Sequence, residues 1–206
     1  MYIAFEGIDN CGKSTQIKLL YNYFKNNTEL KVGKIKEPSN SSIGKFILEF
    51  LKSDEALSDT NKEITSLLFS ADRLTQKSKI LRYKNNPDNL LISDRSYISS
   101  ICYQSNNHIN TSWIEQLNKY IPQPDLTLLL RIPVDMSIQR SSQDTAYETR
   151  KQLKRIQNNY LHYAMNHNHT YIVNGAQARK TIHKNIKKII KKYTQNEYNN
   201  GGMIRQ

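Results

Sequence analysis

Two cysteines in 206 residues, Cys11 and Cys102, are too few for a disulfide framework or a cysteine-built zinc site. Proline and glycine are also scarce, at five and seven residues, and no stretch gathers them into a linker between domains. There is no internal repeat. No apolar run approaches the roughly twenty residues that a membrane span needs, and no secretory signal is expected ahead of Gly7. These absences leave one domain with a sizeable core as the simplest reading. Two unpaired thiols suit a reducing cytosol, so a cytoplasmic location is expected. Acidic residues are outnumbered, 18 against 30 Lys and Arg, for a net charge of +12. That excess suits either nucleic acid or small polyanionic substrates. The basic residues are scattered, however. Their densest group, Arg179 to Lys192, alternates with Ile182, Ile186, Ile189, Ile190 and Tyr193 at the spacing of a helix lying on a core. Nucleic acid is therefore not expected as a partner.

What is present starts at the N-terminus. Tyr2 to Phe5 reads as a buried strand, and Ile17, Leu19, Leu20, Tyr23 and Phe24 recur at roughly helical spacing. Between them lie Gly7, Ile8, Asp9, Asn10, Cys11, Gly12, Lys13, Ser14 and Thr15. A glycine, four residues, then Gly-Lys-Ser between strand and helix is the phosphate-binding loop pattern. Glycines let successive backbone N–H groups converge on an anion, and the following helix adds its positive end. Lys13 can then reach the outer phosphates of a nucleoside triphosphate, and the Ser14 hydroxyl can ligate a bridging magnesium ion.

The rest of the chain alternates strand and helix. Strands are predicted at 2–6, 31–36, 89–93, 125–131 and 170–173. Helices are predicted at 13–27, 41–53, 61–84, 97–105, 111–119, 134–140, 149–167 and 177–193. This is the pattern of an α/β fold of three layers, a five-stranded parallel sheet with helices on both faces, with ligands outside the carboxyl ends of the strands. One domain is expected over 1–193, with a short lid at about 141–150 and a frayed tail over 194–206.

A phosphate loop alone does not separate a GTPase, an ATPase or a small-molecule kinase, and four further segments bear on the choice. The apolar strand ending in Asp94-Arg95 delivers a carboxylate able to hold a magnesium-bound water and a guanidinium able to bridge phosphates. Phe69 and Arg73 lie four apart on one helix, so both point the same way. Such a pair suits a base stacked on the ring and a phosphate gripped beside it. Glu37, before Pro38, can orient an arginine or a metal-bound water. Arg140 to Arg155 is a basic segment with a polar break, fit to close over a triphosphate and exclude water.

Together these segments resemble the thymidylate kinase family, the P-loop nucleoside monophosphate kinases that phosphorylate dTMP. Phe5 to Gln16 is similar to its phosphate loop, Leu67 to Arg73 to its base-stacking helix, and Asp94-Arg95 with Ser99 and Tyr103-Gln104 to its Asp-Arg segment. Val173 to Gln177 sits where the family has the loop after its last strand. The resemblance implies ATP as donor, Mg²⁺ as cofactor and dTMP as acceptor. Asp9 would bind the sugar 3′-hydroxyl, Phe69 would stack on thymine, and Arg73 would hold the base edge and phosphate region. Arg95 would contact the acceptor phosphate, and Ser99, Ser100 and Tyr103 would line the sugar and base pocket. Arg140, Ala176 and Gln177 would flank adenine, and a homodimer packed through helices such as 41–53 and 61–84 is implied. The chain departs from the family in carrying Asn10 where some members have an arginine; Arg150 is taken as the cation that neutralises transferred charge in its place.

The expected chemistry is in-line transfer of a phosphoryl group to an acceptor phosphate, with Lys13, Arg95 and Arg150 cancelling charge. Two rivals stand beside it. A deoxynucleoside kinase would phosphorylate a hydroxyl and need a base, for which Glu37 is placed. A nucleotide-dependent regulatory protein would bind nucleic acid and transfer little phosphate.

Overall fold

The computed structural model describes residues 1–52, 58–106, 108–141 and 149–199. Five strands, β1 (Tyr2–Glu6), β2 (Lys31–Lys36), β3 (Asn89–Asp94), β4 (Leu126–Arg131) and β5 (Thr170–Asn174), form one parallel sheet in the order β2-β3-β1-β4-β5. Every residue of β1 is buried, and β3 and β4 are buried except at their last residues. Short unbroken apolar runs of this kind belong to strands covered on both faces. The edge strand β2 instead alternates, burying Gly33 and Ile35 and exposing lysines.

Eight helices connect the strands among the described residues. They are α1 (Lys13–Asn27), α2 (Ser42–Phe50), α3 (Asp59–Lys84), α4 (Tyr97–Gln104), α5 (Thr111–Leu117), α6 (Val134–Gln139), α7 (Arg150–Asn166) and α8 (Arg179–Asn199). α1 and α8 pack together over one face; α3, α4 and α7 cover the other. Several starts are set by side-chain caps. Ser41, Ser58, Ser96, Asn110 and Thr149 each accept a backbone N–H from the first turn of the helix that follows. Ser58 starts α3 two residues ahead of the predicted 61. α8 runs on to Asn199, through the stretch expected to fray from 194, because no glycine or proline interrupts it before Gly201. Residues 200–206 of the expected tail, and 142–148 of the expected lid, lie outside the described residues.

The main core joins Ile3, Phe5, Leu90, Ile92, Leu128 and Leu130 of the sheet to Ile17 and Leu20 of α1, Ile156 and Tyr160 of α7, and Ile186 of α8. Truncating one of these to alanine costs about 2–5 kcal/mol, so the sheet is a stiff platform. Strand order reverses at β1, whose neighbours β3 and β4 lead to opposite edges. A crevice opens there beyond the carboxyl ends, where α/β sheets bind ligands. Each of the five strands ends in a predicted site segment: the phosphate loop, Glu37, Asp94-Arg95, the run to Arg140, and Ala176-Gln177. Among the described residues no helix is long and apolar enough to cross a membrane.

Candidate active site

The phosphate loop turns from β1 into α1 through backbone that only glycine adopts easily. Gly7 and Gly12 have φ of 137° and 100°, and a Cβ on Gly7 would lie 2.5 Å from the Leu130 carbonyl oxygen. Lys13 is buried and donates from Nζ to the carbonyls of Gly7 (3.0 Å) and Ile8 (2.9 Å), with Cys11 Sγ at 3.7 Å. Its ammonium therefore rests against the inner side of the loop. Beside it, Ser14 Oγ donates to Asp94 Oδ2 over 2.9 Å, joining the loop to the end of β3. Two hard oxygen donors at that separation fit a magnesium ion that completes its shell with waters and phosphate oxygens. No group of three or more His, Cys, Asp or Glu suited to a metal occurs among the described residues.

On the α3 and α4 side a cavity is lined by Asp9, Phe69, Arg73, Arg95, Ser99, Ser100 and Tyr103. Two guanidiniums define it. Arg73 is almost wholly buried and donates from Nε to Glu37 Oε2 (2.7 Å), from Nη1 to Asn118 Oδ1 (2.9 Å), and from Nη2 to Ser100 Oγ (2.8 Å) and the Ser96 carbonyl (3.3 Å). Its Cζ lies 5.7 Å from the Phe69 ring centroid. Glu37 thus orients an arginine; burial pushes its carboxyl up to about 7, against the opposing pull of Arg73.

Arg95 has a φ of 74°, unusual for a residue with a Cβ, and its side chain is held on several sides. Nη1 donates to the Gly7 carbonyl (3.2 Å), Ser99 Oγ (3.1 Å) and Tyr160 OH (3.3 Å); Nη2 donates to Tyr103 OH (3.0 Å) and pairs with Asp9. Tyr103 also donates to Asp9 Oδ2 over 3.0 Å. Burial alone would raise the Asp9 carboxyl, but Arg95, Lys13 and Tyr103 outweigh it and hold it below the usual carboxylate range.

Across the loop a second cleft is lined by Asn10, Cys11, Gly12, Thr15, Arg140 and Gln177, together with Gln16, Arg179 and Ile182. Arg140 is exposed and reaches the Asn10 carbonyl at 3.4 Å; Ala176 N–H donates to Asn174 Oδ1 at 3.0 Å. Arg150, in the first turn of α7, pairs with Asp135 on α6, both side chains more than half exposed. The structure thus sets Arg150 against α6 and does not bring it to the loop.

Two clefts meeting at one phosphate loop, one of them with a ring beside a buried guanidinium, fit a kinase with two nucleotide substrates. The family model described as thymidylate kinase matches residues 5–186. The chain belongs to the thymidylate kinase family. A probable thymidylate kinase of Methanosphaera stadtmanae is 39% identical over 193 residues, covering 94% of this chain and 98% of that one. Another, from Methanobrevibacter smithii, is 38% identical over 193 residues, with 94% and 95% covered. Among solved structures, the thymidylate kinase of Candida albicans superposes with a TM-score of 0.77 at 26% identity, covering 94% of this chain and 92% of that one.

Several residues of this thymidylate kinase site escape the sequence reading. Leu48 and Leu51 line the first cavity unannounced, as do Pro38 and Gln104, which the sequence reading names without a role there; Gln104 Oε1 is buried without a partner among the described residues. Asn118, just past α5, and Tyr160 of α7 hold its two guanidiniums; nothing local marks them, because their contacts with Arg73 and Arg95 span 45 and 65 residues. Glu6 was legible in principle, as a carboxylate closing an otherwise apolar buried strand.

Proposed function

We propose that this chain transfers the γ-phosphoryl group of ATP to the 5′-phosphate of dTMP, giving dTDP. The observation that carries the reading is the convergence of Phe69, Arg73 and Arg95 on one cavity that opens against the phosphate loop. A nucleoside acceptor has no support from the family match, and Glu37, the base it would need, is engaged with Arg73.

The acceptor nucleotide lies in the first cavity, its pyrimidine on the Phe69 ring and its edge toward Arg73. Gln104 Oε1 is an acceptor suited to the ring N–H. Asp9 takes the 3′-hydroxyl, and Ser99, Ser100 and Tyr103 wall the sugar and base. Arg95 binds the 5′-phosphate; its contact with the Gly7 carbonyl sets it at the junction between the two nucleotides. The donor lies on the residues from Gly7 to Thr15, with Lys13 turned from the loop carbonyls to the outer phosphates and Arg140, Ala176 and Gln177 around adenine. Ser14 and Asp94 would hold Mg²⁺, which supplies charge neutralisation to the phosphates when bound.

Because the acceptor is already an anion, no base is required, and catalysis rests on alignment and cancelled charge. Arg150 serves as the charge-neutralising cation by leaving Asp135, an exchange that costs little for so exposed an ion pair. The free, buried thiols of Cys11 and Cys102 support a cytoplasmic setting. Phe46 on α2, with Ile64, Leu67 and Leu74 on α3, offers exposed apolar surface that supports a homodimer through these helices.

The test is ADP release in the presence of ATP, Mg²⁺ and each of a panel of nucleoside monophosphates and thymidine. dTMP is expected to give the highest kcat/KM. Preference for thymidine would overturn the reading.

A further inference from the structure

Glu6 closes β1 immediately ahead of the phosphate loop and is fully buried, and none of the roles above uses it. Its Oε1 accepts from Ser96 Oγ at 2.7 Å. Its Oε2 accepts from Ser99 Oγ at 2.7 Å and from Tyr160 OH at 2.8 Å, and those two hydroxyls are 2.8 Å from each other. Both also lie against Arg95 Nη1, at 3.1 and 3.3 Å.

The proton count gives this cluster a direction. Each hydroxyl has one proton to give and two lone pairs, whereas a guanidinium has protons only. In the triangle of Oε2, Ser99 Oγ and Tyr160 OH, two protons serve three short contacts. Both are therefore consumed inside the triangle, and the lone pairs are left facing Arg95. Without the acceptor, either hydroxyl proton is free to turn toward the guanidinium and oppose it. The Arg95 backbone, at a φ of 74°, is one that persists only when its surroundings over-determine it.

We infer that Glu6 is a positioning residue for phosphoryl transfer. By taking the hydroxyl protons of Ser99 and Tyr160 it turns their lone pairs onto Arg95 and fixes the guanidinium where the acceptor phosphate meets the donor. This rests on the reading of Arg95 as the ligand of the acceptor phosphate.

The test compares Glu6→Met, which keeps the length of the side chain without an acceptor, with Glu6→Gln, whose carbonyl can still receive both hydroxyls while its amide faces Ser96. Displacement of a substrate-aligning group by about an ångström costs on the order of a hundredfold. Glu6→Met is expected to lower kcat for dTMP by roughly that factor and leave KM for ATP within about twofold; Glu6→Gln is expected to recover most of the loss. Adding Glu6→Met to Arg95→Ala should slow the enzyme no further. Multiplying losses, a Glu6→Gln as slow as Glu6→Met, or a shift confined to KM for ATP would overturn the inference. Side-chain nitrogen NMR of Arg95 decides the point independently of turnover: distinct, protected guanidinium signals in the unaltered chain, broadened in Glu6→Met. If dTMP proved not to be a substrate, the functional reading would fall, while these signals would still judge Glu6. Should Glu6→Met not fold, Tyr160→Phe keeps the ring and removes one hydroxyl; unchanged Arg95 signals in that variant would contradict the inference.

Discussion

The two sides of the phosphate loop are built differently. On the side proposed for the acceptor, Arg73 and Arg95 are locked by carboxylates, hydroxyls and carbonyls drawn from α4, α7 and the segments that follow β1, β2 and α5. On the side proposed for the donor, Arg140 reaches the loop by one long contact among the described residues and Arg150 has an exposed ion pair. On the proposed function, selection of the recipient rests on groups fixed in advance, which lose little freedom on binding. The side proposed for the donor would rely on backbone amides for affinity and on these weakly held cations for charge. A base and a sugar need shape to be told apart, while a triphosphate needs only charge in reach.

Predictions that break or sharpen this contrast follow in order of size. Arg73→Ala strips a buried carboxylate of its partner and should cost about 3 kcal/mol or more of stability; Arg140→Ala should stay within about 0.5 kcal/mol. Denaturant unfolding of the two variants compares the sides directly, and equal losses would erase the distinction. Arg95→Ala and Lys13→Ala should each lower kcat by roughly a hundredfold to a thousandfold, the scale of one preorganised charge donor. They should part company in KM, with dTMP affected in the first and ATP in the second. Phe69→Ala should weaken dTMP binding by about 1–3 kcal/mol, the value of a base on an aromatic face, and leave ATP binding alone; calorimetry with each nucleotide reads this.

A pH profile tests the buried pair of Arg73 and Glu37. The ordinary carboxyl value is 4.5 and burial carries Glu37 up to about 7. Between those values the folded chain keeps a proton that the unfolded chain has released. The contribution of this group to stability is thus full below about 4.5 and falls as pH rises through 7. Glu37→Gln should flatten that part of the thermal-midpoint profile. The smallest effect is on the donor side, where Asp135→Ala, which frees Arg150, should leave kcat within about twofold because exposed ion pairs are weak.

The same contrast explains what could be read from the sequence. The central strands β1, β3 and β4 were legible because each is a short, mostly apolar run ended by a polar residue, and the loop because Gly7, Gly12, Lys13 and Ser14 act through local backbone geometry. Phe69 and Arg73 were legible as a pair because a helix places them on one face. Asn118 and Tyr160 were not, since their surroundings exist only once α4, α5 and α7 have packed. Nor could sequence alone show that Arg150 faces Asp135, because the pairing depends on how α7 lies against α6.

The claim that the acceptor pocket is set before its substrate arrives is tested most directly by a crystal structure with dTMP bound. The account predicts the pyrimidine stacked on the Phe69 ring, with Arg73 still on Glu37 and Asn118 and Arg95 still against Ser99 and Tyr160. A pyrimidine seated away from that ring, or two guanidiniums rotated out of these contacts to meet it, would contradict the account.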